Sequence, residues 1–352
     1  MGFRQAGMDI VFAADKDHDA AKTFEMNFPE TRLLEEPEFD GRFRGIHYLQ
    51  RKIEEFPTEA LQPLVDTCND HPILFAGCAP CQPFTHQNTQ LPAEDDRRTL
   101  LDKFRHFVEY YSPEFVFVEN VPGLQKICDE RGTFGRFLNS LKELNYSFVY
   151  KLVAAQHYGV PQKRSRLVLV ASRLGKIEFP PKTHGRGTDH PKYSTVREWI
   201  GDLPPIKAGE THPSVPNHRA AGLWPINLER IRATPPGGDR RDWPDHLHLE
   251  CHSKGYRGHT DVYGRLRWNQ PASCLTTKCT SLSNGRFGHP EQDRAISARE
   301  AACLQTFPRD FVFCGGLGSI SRQIGNAVPV LLAKHFGENF VKHLQAHLEG
   351  TL

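Results

Sequence analysis

Phe115-Val116-Phe117-Val118 is a near-continuous apolar run with no polar position to face water. A strand of that kind is covered on both faces, which points to a sheet flanked by helices on each side. The neighbouring segments agree. Thr99 to Tyr111 places Leu100, Phe104, Phe107, Val108 and Tyr111 toward one helical face, and Gly135 to Leu144 reads as a second helix. Ile10 to Ala14, Ile73 to Ala76, Phe148 to Ala154 and Leu167 to Ala171 read as further strands. This alternation predicts an α/β fold with a doubly wound, mostly parallel sheet. Between Glu30 and His71 the pattern is irregular and charged, and no strand is placed there.

Open α/β sheets hold their chemistry at the carboxyl ends of strands. Ile73 to Ala76 closes into Gly77-Cys78-Ala79-Pro80-Cys81-Gln82-Pro83-Phe84, so Cys81 stands between two prolines, and a thiolate is the strongest nucleophile among ordinary side chains. The run at 115–118 ends in Glu119-Asn120-Val121-Pro122-Gly123, which brings a carboxylate to the same end. Asp15 closes the first strand and is followed by Asp17-His18-Asp19, a helix start for a helix to about Asn27. An acid there holds ribose hydroxyls in dinucleotide-type folds, or else serves the helix as a cap. Between the last two strands, Arg164 and Arg166 alternate with Ser165, so in extended chain they project to one side and could grip a phosphate or a carbonyl oxygen. Singly, each has a plainer alternative. Cys81 could be a small buried hydrophobe or, with Cys78, half of a redox pair, and the arginines a surface patch. His246, His248, Cys251 and His252 crowd together without a second ligand pair, so no metal is expected.

Nine scattered cysteines argue for reduced thiols. No apolar run approaches the roughly 20 residues of a membrane span, and no signal segment opens the chain, so a soluble cytoplasmic protein is expected. The net charge of +2 conceals an asymmetry: residues 1–162 carry 17 Lys and Arg against 25 Asp and Glu, residues 163–294 carry 22 against 13. A basic middle on an acidic body predicts a polyanion-binding face. Pro180-Pro181, Pro204-Pro205 and Pro235-Pro236 mark a loop-rich second domain. The expected division is a first domain 1–172, a loop-rich second domain 173–294, and a segment 295–352 returning to the first. In the last segment Ser297 and Glu300 stand at capping-box spacing, and an apolar helix runs to about Leu348.

A nucleophile, a carboxylate and paired arginines at the mouth of one sheet ask for a common chemistry. Pro80-Cys81-Gln82, Glu119-Asn120-Val121 and Gln162-Lys163-Arg164-Ser165-Arg166 resemble the nucleophile, acid and paired-arginine motifs of the DNA cytosine-5 methyltransferases. Arg299-Glu300 through Leu304-Gln305-Thr306-Phe307-Pro308, and Gly325-Asn326-Ala327-Val328-Pro329, resemble the two closing motifs. Five motifs thus fall in the family's order over nearly the whole chain. The resemblance implies a Rossmann-like methyltransferase sheet and methyl transfer from S-adenosylmethionine to carbon 5 of a flipped-out cytosine in duplex DNA. Carbon 5 of cytosine is too electron-poor to attack a methyl donor, and addition of a thiolate at carbon 6 makes it nucleophilic. A carboxyl with a raised pKa suits ring nitrogen 3.

By this resemblance Cys81, Glu119, Arg164 and Arg166 are catalytic, with Arg166 at the base carbonyl and Arg164 supporting the loop or a phosphate. Asp15, Pro80, Leu100, Asn326 and Ala327 line the cofactor, and Gln82, Thr85, Gln87 and Arg97 face the DNA. The expected setting is a bacterial restriction-modification system or a solitary methylase, acting as a monomer on double-stranded DNA without membrane or metal. The family's opening strand and Gly-rich turn are not found before Asp15, and the adenine-holding aspartate is not evident near Arg44-Gly45-Ile46-His47. A chain truncated in its cofactor cradle is therefore expected, leaving a catalytically impaired DNA-binding protein as one alternative. A transfer-RNA cytosine-5 methyltransferase, which shares Pro-Cys-Gln and Glu-Asn-Val, is the other.

Overall fold

A computed structural model describes residues 1–68, 71–78, 100–122, 132–250 and 261–352. Pro80, Cys81, Gln82, Thr85, Gln87 and Arg97 lie outside the described residues. The chain forms two compact units: Met1–Ala154 with Ser165–Pro181 and Ala333–Leu352, and Ala155–Arg164 with Lys182–Leu332. Of the segment 295–352, residues 333–352 therefore belong to the first unit and 295–332 to the second.

The first unit contains two sheets. β1 (Phe12–Ala14), β2 (Thr31–Leu34) and β3 (Ile46–Leu49) form a parallel sheet in the order β1-β3-β2. β4 (Leu74–Gly77), β5 (Phe115–Asn120), β6 (Ser147–Ala154) and β8 (Ser165–Ser172) form the other, in the order β4-β5-β8-β6. β4 and β5 run parallel, whereas β8 runs antiparallel to both β5 and β6. The expectation of a parallel arrangement fails for this last pair because residues 155–164 join it. A parallel crossover needs a dozen or more residues and usually an α-helix, whereas the helical part of this ten-residue connection is a single 3₁₀ turn, Ala155–Tyr158. β2 and β3 fall in the stretch where no strand was expected. All four residues of β3 are buried, so it shows no alternation, and His47 and Tyr48 mask its apolar character.

Helices cover both faces of β5, as its composition demands. Val116 and Val118 face Leu101, Phe104, Phe134 and Phe137 of α4 (Leu100–Tyr111) and α5 (Thr133–Glu143). Phe117 and Phe115 face the other way. Phe117 meets Phe3 of the short α1 (Gly2–Gln5) and Phe336 of the C-terminal helix Val330–Leu348 at 5.4 and 5.6 Å between ring centres. α2 (His18–Asn27) starts where expected, its Asp17 cap accepting from Ala20 N at 3.0 Å.

The second unit is short of regular structure and is held largely by buried arginines. Gln162–Lys163 (β7) pairs with Ala272–Ser273 (β9), and the unit's helices include α6 (Val196–Ile200), α7 (Pro225–Ala233), α8 (Ala298–Leu304) and α9 (Leu317–Asn326). Val330–Leu348 is α10, whose first three residues belong to this unit. Arg265 donates to the carbonyls of Ile231, Thr234, His289 and Gln292, and Arg299 to those of Pro216, Pro308 and Phe311. Loops cannot satisfy their own carbonyls, and the five-donor guanidinium collects several at once. Glu300 completes the capping box read from the sequence, and Arg294 meets it in a bidentate pair, both bonds at 2.7 Å.

His289, buried beside Glu300, accepts at Nδ1 from Glu291 N (3.1 Å) and Gln292 N (2.9 Å), a role open only to the neutral ring. Burial outweighs the opposing charge of Glu300 and lowers its pKa to about 4. Unfolded, the ring takes a proton near its ordinary value of about 6.5, so below that pH the unfolded state holds more protons than the folded one. Stability is expected to be complete at neutral pH and to fall as pH drops from about 6.5 toward 4, by roughly 3 kcal/mol from this residue. Urea midpoints between pH 7 and 4.5 test this: a flat profile, or one unchanged by His289→Gln, contradicts it.

Candidate active site

Glu119 sits at the carboxyl end of β5, on the face shared by Phe115 and Phe117. In the antiparallel register Glu119 stands opposite Val168, and Arg166, two residues along β8 on the same face, is its diagonal neighbour. Arg166 Nε lies 3.0 Å from Glu119 Oε1, and the two side chains are 13% and 7% exposed. Water therefore screens this pair little, and a planar base presented there would meet an acceptor and a donor side by side. Asn120 turns its Oδ1 to accept from Val121 N at 2.7 Å, closing the strand end. Gly77, the last residue of parallel β4, is packed against Phe104, whose ring would stand 3.0 Å from any added Cβ.

The two arginines do not project together. Arg164 N donates to Gln162 O at 2.9 Å, so the chain turns between β7 and β8, and the extended geometry that would align Arg164 with Arg166 is absent. Arg164 is 1% exposed and donates to the carbonyls of Leu275 (3.0 Å), Gly325 (3.0 Å) and Ala327 (3.2 Å), all in the second unit. Gln162 and Gln305, which had no assigned role, finish this clasp. Gln162 Nε2 donates to Gln305 Oε1 at 3.0 Å, Leu275 N donates to Gln162 Oε1 at 2.8 Å, and Gln305 Nε2 donates to Ile324 O at 2.6 Å. Three of the sequence motifs thus meet as one buried hydrogen-bonded knot. An added Cβ at Gly325 would lie 2.3 Å from Thr276 O, where only glycine fits. Gly325→Ala is expected to destabilise the second unit by roughly 1–3 kcal/mol, read as a lower urea midpoint; an unchanged midpoint contradicts the close packing.

Of the residues read as cofactor contacts, Asp15 and Leu100 lie in the first unit, Asn326 and Ala327 in the second. Asp15 is exposed at the carboxyl end of β1, where Oδ1 accepts from Asp17 N at 2.9 Å. His18 Nδ1 and Gln50 Oε1, 3.2 Å apart, join the start of α2 to the residue that follows β3. A carboxylate acceptor at this strand end fits the hydroxyls of a ribose. Leu100 opens α4, Asn326 is exposed at the end of α9, and Ala327 follows it as the cap. Among the described residues no group of His, Cys, Asp and Glu could hold a metal ion, and no helix is long and apolar enough to cross a membrane.

A sheet covered by helices on both faces, with parallel β4 and β5 and antiparallel β8 beside β5, has the Rossmann-like methyltransferase fold. The fold matches that of a DNA modification methyltransferase encoded within an E. coli prophage, with a TM-score of 0.71 at 22% identity over 98% of this chain and 95% of that one. It also matches a Spodoptera frugiperda DNMT2 variant, with a TM-score of 0.60 at 16% identity over the same shares. Residues 1–342 match the family model of C-5 cytosine-specific DNA methylases, and the chain belongs to that enzyme family. It is 40% identical to the Type II methylase M.HgiDII of Herpetosiphon aurantiacus, over 98% of this chain and 91% of the relative. The Type II methyltransferase M.PspPI of a Psychrobacter species is 31% identical over 98% and 77%. Enzymes of this family in general take their methyl group from S-adenosylmethionine.

Proposed function

We propose that the chain transfers a methyl group from S-adenosylmethionine to carbon 5 of a flipped-out cytosine in a specific duplex DNA sequence, through a covalent bond between Cys81 and carbon 6. The observation that carries this reading is the buried Glu119–Arg166 pair at the carboxyl end of β5, beside parallel β4, whose last residue Gly77 precedes Cys81 by four positions in the sequence. When bound, S-adenosylmethionine would supply an electrophilic methyl on a positively charged sulfur, and its sulfur would keep the bonding pair and leave as a neutral thioether. The Cys81 thiolate adds to carbon 6 and its electron pair makes carbon 5 nucleophilic, while Glu119 holds a proton at ring nitrogen 3 and Arg166 donates to the carbonyl oxygen. Once carbon 5 is methylated, its hydrogen leaves as a proton and the carbon–sulfur bond breaks, returning the thiolate. Arg164 acts at a distance, as the clasp that fixes the Gly325 to Ala327 backbone.

Asp15 would hold the ribose of the cofactor, with Pro80, Leu100, Asn326 and Ala327 along its pocket. Gln82, Thr85, Gln87 and Arg97 would face DNA, since a base inside a duplex must be extruded to reach the thiol. The basic, loop-rich stretch 173–294 would read the sequence, and residues 1–172 would carry the chemistry, the remainder 295–352 supporting both.

Incubation with a duplex containing 5-fluorocytosine tests this. That base takes the methyl but has no hydrogen on carbon 5 to lose as a proton, and fluorine cannot leave as a cation, so a denaturant-resistant protein–DNA adduct through Cys81 is expected in the presence of S-adenosylmethionine. An adduct formed only on transfer RNA, or mapped to another cysteine, would overturn the reading.

A further inference from the structure

In the second unit an exposed arginine, Arg241, is held side-on by a buried carboxylate. Arg241 is 65% exposed, yet its guanidinium is clamped side-on by Asp239, whose side chain is 4% exposed. Nε donates to Oδ1 at 2.8 Å and Nη2 to Oδ2 at 2.7 Å. Asp239 is itself fixed. It accepts from Arg241 N at 3.1 Å and from Arg286 Nη2 at 3.0 Å, and Asp239 N donates to Asp242 Oδ2 at 2.8 Å. Arg286 in turn donates to Gly237 O and Gly238 O at 2.7 and 2.6 Å. Gly237 takes a positive φ of 75°, and an added Cβ would overlap Arg267.

The side-on clamp occupies one edge of the guanidinium. The other edge, Nη1 with the second hydrogen of Nη2, has no partner among the described residues. Most exposed arginines lose rotamer freedom when they bind, but here the carboxylate has already fixed the side chain. Two parallel donors on a preset fork match the O6 and N7 acceptors of a guanine in the major groove, the commonest specific contact between protein and DNA. A phosphate contact, even a bidentate one, gains much of its strength from charge, and Asp239 cancels part of that charge. The preset orientation remains, and a base edge, unlike a phosphate, turns orientation into sequence information.

We propose that Arg241, buttressed by Asp239, reads a guanine in the recognition sequence. This rests on the reading of the chain as a duplex-DNA methyltransferase. A pool of duplexes with randomised sequence tests both separately. Cytosine-5 methylation of the pool by the wild-type chain tests the function, and selection of the same pool by binding reads the base preference even where no methyl is transferred. With Arg241→Gln and Arg241→Lys, preference for guanine at one position is expected to fall roughly ten- to hundredfold, other positions keeping theirs. Lysine is not expected to restore it, because a point charge lacks the fork. Asp239 keeps its bonds from Arg286 and from Arg241 N in both variants, so both are expected to stay folded, which thermal melts check. An unchanged preference at every position overturns the proposal, and so does a uniform loss of binding with a salt slope smaller by about one, the signature of a phosphate contact.

Discussion

Duplex DNA is expected to stay unmethylated when the chain carries Cys81→Ser, and to be methylated about 10²- to 10⁴-fold more slowly with Glu119→Gln. The two losses have different causes. A serine hydroxyl at neutral pH supplies almost no anion to add to carbon 6, so the first step has no nucleophile. Glutamine keeps the shape of Glu119 and can still contact ring nitrogen 3, but it cannot exchange a proton there. It also removes the charge that pairs with Arg166 at 3.0 Å. Binding of DNA should survive both changes. Single-turnover rates with tritiated cofactor measure the effect, and a Glu119→Gln rate within about threefold of wild type would remove Glu119 from the proton inventory.

The largest effect on stability is expected at the pair formed by Arg294 and Glu300. Arg294 is 0% and Glu300 1% exposed, and Arg294 also donates to Ile206 O and Ala295 O at 3.0 Å. Burial alone would raise the Glu300 carboxyl, but the hydrogen bonds and charge of Arg294 outweigh it and hold the group below its usual range. Arg294→Met removes that compensation and leaves a buried charge together with two carbonyls that lose a donor. A cost of about 3–5 kcal/mol is expected. Arg294→Met with Glu300→Gln should cost less than the sum of the single changes, because no stranded charge remains. Urea unfolding of the four proteins measures the cycle, and strict additivity would show that the pair does not act as a unit.

The face-covered strands could be read from composition because burial on both sides leaves a continuous apolar run, as at Phe115 to Val118. β3 offered no such run, since His47 and Tyr48 interrupt it while being equally buried. The direction of β8 depended on the length of the connection before it, which alternation of strands and helices does not reveal. Glu119 and Arg166 could be placed at one sheet end from the residues alone. The clasp made by Arg164 could not: its acceptors at Leu275, Gly325 and Ala327 come from segments more than a hundred positions away, and a buried arginine has the same letter as a surface one. Arg299, closing on Pro216, Pro308 and Phe311, escaped because the letter does not distinguish a buried arginine from a surface one, even where two of its acceptors are near in sequence.

The central claim is that this chain places a methyl group on carbon 5 of cytosine in DNA by way of Cys81. Mass spectrometry of nucleosides from the DNA of a host lacking cytosine-5 methylation, expressing the chain or its Cys81→Ser variant, tests it most directly. The account predicts 5-methyldeoxycytidine with the wild-type chain and none with the variant; methylation only at an exocyclic amine, or 5-methyldeoxycytidine that persists without Cys81, would contradict it.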